Sequence, residues 1–143
     1  MKLHIVTIGK PKLAYAAVGW DEYLGRLQRL HSVHVTQLAD KYADDAAKIR
    51  EVTAGTCTVA LEITGIMFDS HELADFLTKR ELEAREVSFL IGGPDGLPQE
   101  IRQNADYRWS LSRLTLPHDL ATVVTLEALF RASTINAGLP YHR

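Results

Sequence analysis

Only one cysteine, Cys57, occurs in this 143-residue chain. That excludes an internal disulfide and fits a reducing compartment. Long uncharged runs are missing too. The longest stretch without Asp, Glu, Lys or Arg runs from Ala132 to His142, well short of the ~20 apolar residues that cross a bilayer as a helix. No membrane association is expected. The opening Met1-Lys2-Leu3-His4-Ile5-Val6 lacks an apolar segment ending in a small-residue cleavage site, so a cytoplasmic location is expected. No cluster of proline, glycine and serine divides the chain, and no repeat or low-complexity tract occurs. Residues 1–143 are therefore expected to form a single domain, long enough to bury a core without a metal or disulfide staple.

Chemistry-bearing patterns are sparse as well. His4, His31, His34 and His71 show no ligand spacing with Cys57 or with a carboxylate pair, so no metal is expected. No Gly-x-Ser-x-Gly elbow supports a covalent hydrolase. Positive charge is not in excess either. Sixteen Lys and Arg face 18 Asp and Glu, a net charge of −2, which gives no bulk electrostatic support for a nucleic-acid partner. The distribution is uneven, however. From Arg108 onward four arginines (108, 113, 131 and 143) outnumber Asp119 and Glu127, and Lys2, Lys10 and Lys12 precede the first acid, Asp21.

What the chain does have is an alternation of short β-branched runs and longer helical segments. Leu3–Ile8, Val33–Leu38, Thr56–Leu61, Val87–Ile91 and Tyr107–Leu111 read as strands. Gly65 is expected to break the segment after the third. Helices are expected over Ala14–Leu30, with Val18, Leu24, Leu27 and Leu30 on one face, and over Asp44–Val52. Further helices are expected from an N-cap at Ser70 through Glu83, over Pro98–Asn104, and over Asp119–Ala137, ended by Gly138 and Pro140. This order implies an α/β fold with a mostly parallel sheet. In the last helix Leu120, Val123, Val124, Leu126, Leu129, Phe130 and Ile135 cover more than one face. A helix apolar nearly all round calls for burial on both sides, so a homodimer is expected.

Ligands of open α/β sheets bind beyond the carboxyl ends of the strands. Three loops there stand out: Leu61-Glu62-Ile63-Thr64-Gly65, Ile91-Gly92-Gly93-Pro94-Asp95-Gly96, and Leu111-Ser112-Arg113-Leu114-Thr115-Leu116-Pro117-His118. The glycines of the second let backbone approach a ligand, although Pro-Asp-Gly alone reads first as a tight turn. It is neither a phosphate loop nor a dinucleotide fingerprint. The third mixes apolar side chains with backbone polar groups, which suits an adenine ring. It also reads as a strand extension running into a helix start, with His118 and Asp119 as capping residues. The terminal Tyr141, His142 and Arg143 are residue types that stack on bases, move protons and grip phosphate, on a segment that would otherwise be a frayed tip.

Taken in order, Leu90-Ile91-Gly92-Gly93-Pro94-Asp95-Gly96, Trp109-Ser110-Leu111-Ser112, Leu114-Thr115-Leu116-Pro117-His118 and Pro140-Tyr141-His142-Arg143 resemble the ribosomal RNA large subunit methyltransferase H family. Met1-Lys2-Leu3 and Gly9-Lys10 fit as well. The resemblance covers the whole chain; departures are a shorter middle segment and Ile66 after Gly65, where many relatives carry lysine. It implies a SPOUT-type α/β fold with a C-terminal trefoil knot, a homodimer, and S-adenosylmethionine as cofactor. It further implies methylation of N3 of a pseudouridine in a large-subunit rRNA stem-loop, on the assembled ribosome. By resemblance, Leu61, Gly92, Gly93, Leu111, Ser112, Arg113, Leu114, Thr115 and Leu116 fall on the cofactor site, and His118, Tyr141, His142 and Arg143 on catalytic or substrate-binding positions. A ribosome-associated binding protein that keeps the fold without turnover is the alternative.

Overall fold

The computed structural model describes residues 1–143. Its strands are β1 (Lys2–Ile8), β2 (Ser32–Leu38), β3 (Cys57–Ile66), β4 (Val87–Ile91) and β5 (Tyr107–Trp109). Its helices are α1 (Ala14–Gln28), α2 (Ala46–Thr53), α3 (Ser70–Leu82), α4 (Gln99–Asn104) and α5 (His118–Ala137). All strand pairs are parallel, in the order β2-β1-β4-β3-β5. β4 is buried along its whole length, as its uninterrupted Val-Ser-Phe-Leu-Ile run requires of a strand covered on both faces.

Alternation along the strands sorts two cores. Leu3, Ile5, Val59, Val87 and Phe89 face Trp20 and Leu27 of α1, Leu73 and Leu77 of α3, and Leu126 and Leu129 of α5. Val6, Ile8, Ala60 and Leu90 face Ile49 of α2 and Ile101 of α4. The result is three layers: α1, α3 and α5 on one face, α2 and α4 on the other. This division follows from right-handed crossovers. Connections that step toward β2 carry α1 and α3 on one face, and those that step toward β5 carry α2 and α4 on the other. Beyond the ends of β3 and β4 the path reverses, because α3 leads back to β4 whereas α4 jumps over β3 to β5. Such a reversal opens a crevice at the strand ends.

Several boundaries differ from expectation, each for a local reason. Asp69, not Ser70, caps α3. Its carboxylate accepts from the Glu72 amide at 2.7 Å while Glu72 accepts from the Asp69 amide at 2.8 Å, and this reciprocal pair outcompetes a lone hydroxyl. Gly65 does not break β3. Leu61 and Ile66 both pair with Trp109 around a bulge, and a Cβ at Gly65 would lie 2.6 Å from the Arg108 carbonyl. β5 ends at Trp109, short of Leu111, with the Ser110 amide making its last bond to β3, at the Ile66 carbonyl, 2.8 Å. In α1 the inward face is Ala16, Trp20 and Leu27, and Val18 is 70% exposed.

In α5 the buried hydroxyls of Thr122, Thr125, Ser133 and Thr134 donate to carbonyls three or four residues earlier, so they enter the core satisfied. Leu120, Val123, Val124, Phe130 and Ile135 remain half-buried. Gly138, at φ +69°, closes the helix in the left-handed conformation foreseen for it.

Candidate functional site

The three strand-end loops converge on one cavity of about 380 Å³, within the usual range for small-molecule sites. Leu61, Gly92, Gly93, Leu111, Ser112, Leu114, Thr115, Leu116 and His118 all line it. Arg113 is exposed and takes no part in the wall. Glu62, from the first of the three loops, and Arg102 line it too; neither was among the expected site residues, and Arg102 lies outside all three loops.

Each wall is held by its own chemistry. In the second loop the Gly96 amide donates to the Gly93 carbonyl at 2.9 Å, and Gly96 has φ +81°. The loop is thus a tight turn and a cavity wall at once. Gly92 is needed for the turn itself: a Cβ there would lie 2.5 Å from the Gly96 carbonyl carbon and the Leu97 nitrogen. The Gly92 carbonyl accepts from His118 Nδ1 at 2.7 Å. A carbonyl can only accept, so the ring carries a proton on Nδ1, and Nε2 is left buried without a partner. In the third loop Ser112 Oγ accepts from the Leu114 amide at 2.9 Å, and Ser110 Oγ donates to the Ser112 carbonyl at 2.9 Å. The backbone amides of Leu111, Thr115 and Leu116 make no bond within the chain. Leucines beside unclaimed amides fit an adenine ring, whose faces take apolar packing and whose edge takes backbone hydrogen bonds.

The helix start is not capped as the residue types alone read. Pro117 precedes α5, and the buried Asp119 carboxylate accepts from the amides of Lys12 and Leu13 at 2.9 and 2.6 Å. It clamps the start of α1, not of its own helix.

Tyr141, His142 and Arg143 lie elsewhere. The 20 residues of α5 rise about 30 Å at 1.5 Å each, with His118 at one end and the tail at the other. The tail is docked rather than frayed. Tyr141 packs edge-on to Phe130, its ring lies under the Arg131 guanidinium at 4.8 Å, and its hydroxyl donates to Glu127 at 3.2 Å. Burial first, then a hydrogen bond with Tyr23 and the charge of Glu127, push the Tyr141 phenol up to about 12. His142 meets His71 edge-on, and its Nδ1 accepts from Arg131 at 3.3 Å. Arg143 is exposed.

One histidine cluster escaped the sequence. Parallel pairing sets His4 beside His34, their rings stacked 4.0 Å apart. Thr36 and Ser88 hydroxyls take both nitrogens of the buried His4, and His34 Nδ1 stands 3.1 Å from Glu86. The three side chains come close enough for a shared ion. However, stacked rings direct their lone pairs along parallel lines, and His4 has no free nitrogen, which is not a metal-ready arrangement. Burial chiefly, then His34, lowers the His4 pKa, with Glu86 opposing.

A parallel α/β sheet with a ligand-sized cavity at its topological reversal places the chain among open-sheet α/β proteins, whose ligand sites lie at such reversals. Comparison with known proteins narrows the class. The family model described as "Predicted SPOUT methyltransferase" matches residues 1–142. Curated proteins called "Ribosomal RNA large subunit methyltransferase H" from Deinococcus deserti and Deinococcus radiodurans are each 46% identical over 145 residues, covering all of this chain and 100% and 99% of theirs. The Pseudomonas aeruginosa protein of that name is 35% identical over 155 residues, covering all of both chains. Among solved structures, a putative methylase family protein from Neisseria gonorrhoeae aligns with TM-score 0.58 at 14% identity, over 99% of this chain and 86% of that one. A probable methylase family protein from Haemophilus influenzae aligns with TM-score 0.56 at 13% identity, over 95% and 68%. The chain belongs to the SPOUT methyltransferases and, within them, to the ribosomal RNA large subunit methyltransferase H family.

Proposed function

We propose that this protein methylates N3 of a pseudouridine in a stem-loop of large-subunit ribosomal RNA, on the assembled ribosome in the cytoplasm, with S-adenosylmethionine as methyl donor. The observation that carries this reading is the convergence of the three strand-end loops on one cavity, with leucine faces and unclaimed amides fitted to an adenosyl group. Leu61, Leu114 and Leu116 would pack the adenine, and the Leu111, Thr115 and Leu116 amides would read its edge. When bound, S-adenosylmethionine supplies a sulfonium-activated methyl carbon. What remains for the protein is alignment and removal of the N3 imide proton.

His118 spends its Nδ1 proton on the Gly92 carbonyl, so this residue is read as holding the Gly92 loop. His142 Nε2 is neither bonded nor sealed, and it is the proton acceptor in this reading. Arg143 stabilises the anionic base or grips phosphate, and Tyr141, protonated at any working pH, stacks. Since the tail sits a helix length from its own cavity, it serves the cavity of a second copy. The half-buried apolar side of α5, with Leu13, Tyr15 and Val18 exposed near the start of α1, provides a surface for that homodimer. The C-terminal half is read as knotted. Residues 110–117, tied to Ile66 and, through His118, to Gly92, return across the strand ends to reach α5.

Incubating ribosomes from cells lacking this protein with labelled S-adenosylmethionine tests the proposal. The expected result is one labelled pseudouridine in large-subunit RNA. Binding to ribosomes with no label transferred would leave the fold serving a binding protein.

A further inference from the structure

One carboxylate of the cavity wall, Glu62, is buried and only partly paired. It follows Leu61 in β3 and points to the α4 side, where Arg102 Nη1 stands 3.3 Å from Oε1 and Arg108 Nε 3.9 Å from Oε2. Its side chain is only 12% exposed. Oε2 is shut off from solvent without a hydrogen-bond partner, and so is Nε of Arg102. Both residues line the cavity. Arg102 Nη1 already donates to Glu62 Oε1, yet one buried acceptor, Oε2, and one buried donor, Arg102 Nε, are left unmade in the wall of this cavity. Proteins rarely leave such groups unpaired, because each forfeits its hydration for nothing.

From this geometry we infer that Glu62 and Arg102 hold the amino-acid end of the cofactor, Glu62 taking its α-ammonium and Arg102 its α-carboxylate. The inference rests on the adenosyl reading of the cavity and adds to it the group that recognises the zwitterion. A zwitterion offers a donor cation and an acceptor anion on one carbon, the complement of an acceptor anion and a donor cation 3.3 Å apart. A ribose diol would satisfy Glu62 but would leave Arg102 Nε as it is. Neither residue belongs to the three family motifs of the cavity wall, and Arg102 comes from the opposite layer of the sheet. Arg108, 56% exposed, keeps the cluster net positive, which offsets the loss when Arg102 turns from Glu62 to the ligand carboxylate.

Calorimetry on the full chain separates the possibilities with three probes: S-adenosylhomocysteine, its decarboxylated analogue, and 5′-methylthioadenosine, which lacks the amino-acid end. Glu62→Gln is expected to weaken the first two about tenfold, as loss of a charge-assisted bond should, and to leave methylthioadenosine unchanged. Arg102→Gln is expected to weaken S-adenosylhomocysteine alone. Equal losses for all three probes would mean that Glu62 contacts ribose or shapes the wall, and no loss would mean that it contacts nothing; either overturns the inference while leaving the cofactor reading intact. Wild-type protein that binds none of the probes overturns the cofactor reading itself. Should Glu62→Gln fail to fold, the wild-type preference for S-adenosylhomocysteine over its decarboxylated form, and its loss in Arg102→Gln, decides.

Discussion

A methyl group at position 92 has nowhere to go, whereas one at position 93 does. The Cβ of Gly92→Ala would meet the Gly96–Leu97 peptide bond at 2.5 Å, and that of Gly93→Ala would meet only the Ile8 side chain at 3.5 Å. Gly92→Ala must therefore displace the turn and the carbonyl that holds His118. A shift of about 1 Å in a positioning loop can cost about 100-fold in turnover, and that is the expected loss in ribosome methylation. Gly93→Ala should stay within about twofold; equal losses in the same assay would remove the turn from the explanation. A second residue-scale expectation concerns His4. Its folded-state pKa lies below the ordinary 6.5, so the unfolded chain takes up the proton first. Stability is then unaffected above that value and falls as pH drops through it toward the folded pKa. Tm measured from about pH 8 to pH 5 should decline, less steeply in His4→Gln. A slope unchanged in that variant would assign the decline to other groups, the half-buried His31 among them, whose pKa burial also lowers. The loop residues were legible because glycine, proline and serine carry local conformational rules. The His4–His34 stack was not, since it depends on a strand register that no local spacing encodes.

At the scale of elements, short β-branched runs placed four strands and an aromatic pair, Tyr107 and Trp109, marked the fifth; errors gathered where one element ends on another. β3 runs through Gly65 because the Arg108 backbone fills the space that a side chain would occupy. Asp119 reads as a cap for α5, yet its carboxylate holds the two amides that lead into α1, a pairing across more than 100 residues of sequence. That clamp carries its own prediction. Asp119→Ala leaves two amides at the start of α1 without their acceptor and should cost about 1–2 kcal/mol, read as a lower denaturation midpoint with an unchanged m-value. Asp119→Asn keeps one acceptor oxygen and should recover part of the loss. If both variants match wild type, the carboxylate adds nothing to holding α1 on α5. The Glu62–Arg102 pair was hidden for a related reason. Strand alternation turns Glu62 toward the α4 layer, and the face it would find there is set by crossover handedness rather than by local sequence.

At the scale of the whole molecule the governing distance is the length of α5. The family motifs group His118 with Tyr141, His142 and Arg143, and the helix between them holds the two groups about 30 Å apart. A near-neutral chain with its arginines concentrated toward the C-terminus would then bring positive charge to each cavity through its partner rather than through bulk charge. This arrangement has a direct test. Gly92→Ala damages a cavity and leaves a tail, and Arg143→Ala damages a tail and leaves a cavity; each homodimer should be nearly inactive. Co-refolded together, half of the dimers are mixed, and each mixed dimer joins the intact cavity of one copy to the intact tail of the other. About a quarter of all sites should then be whole, and methyl transfer to ribosomes should return to about that fraction of wild type. If each chain used its own tail, every site in the mixture would carry one lesion and no activity would return, which would sink the shared-site reading while leaving the cavity and its ligand untouched.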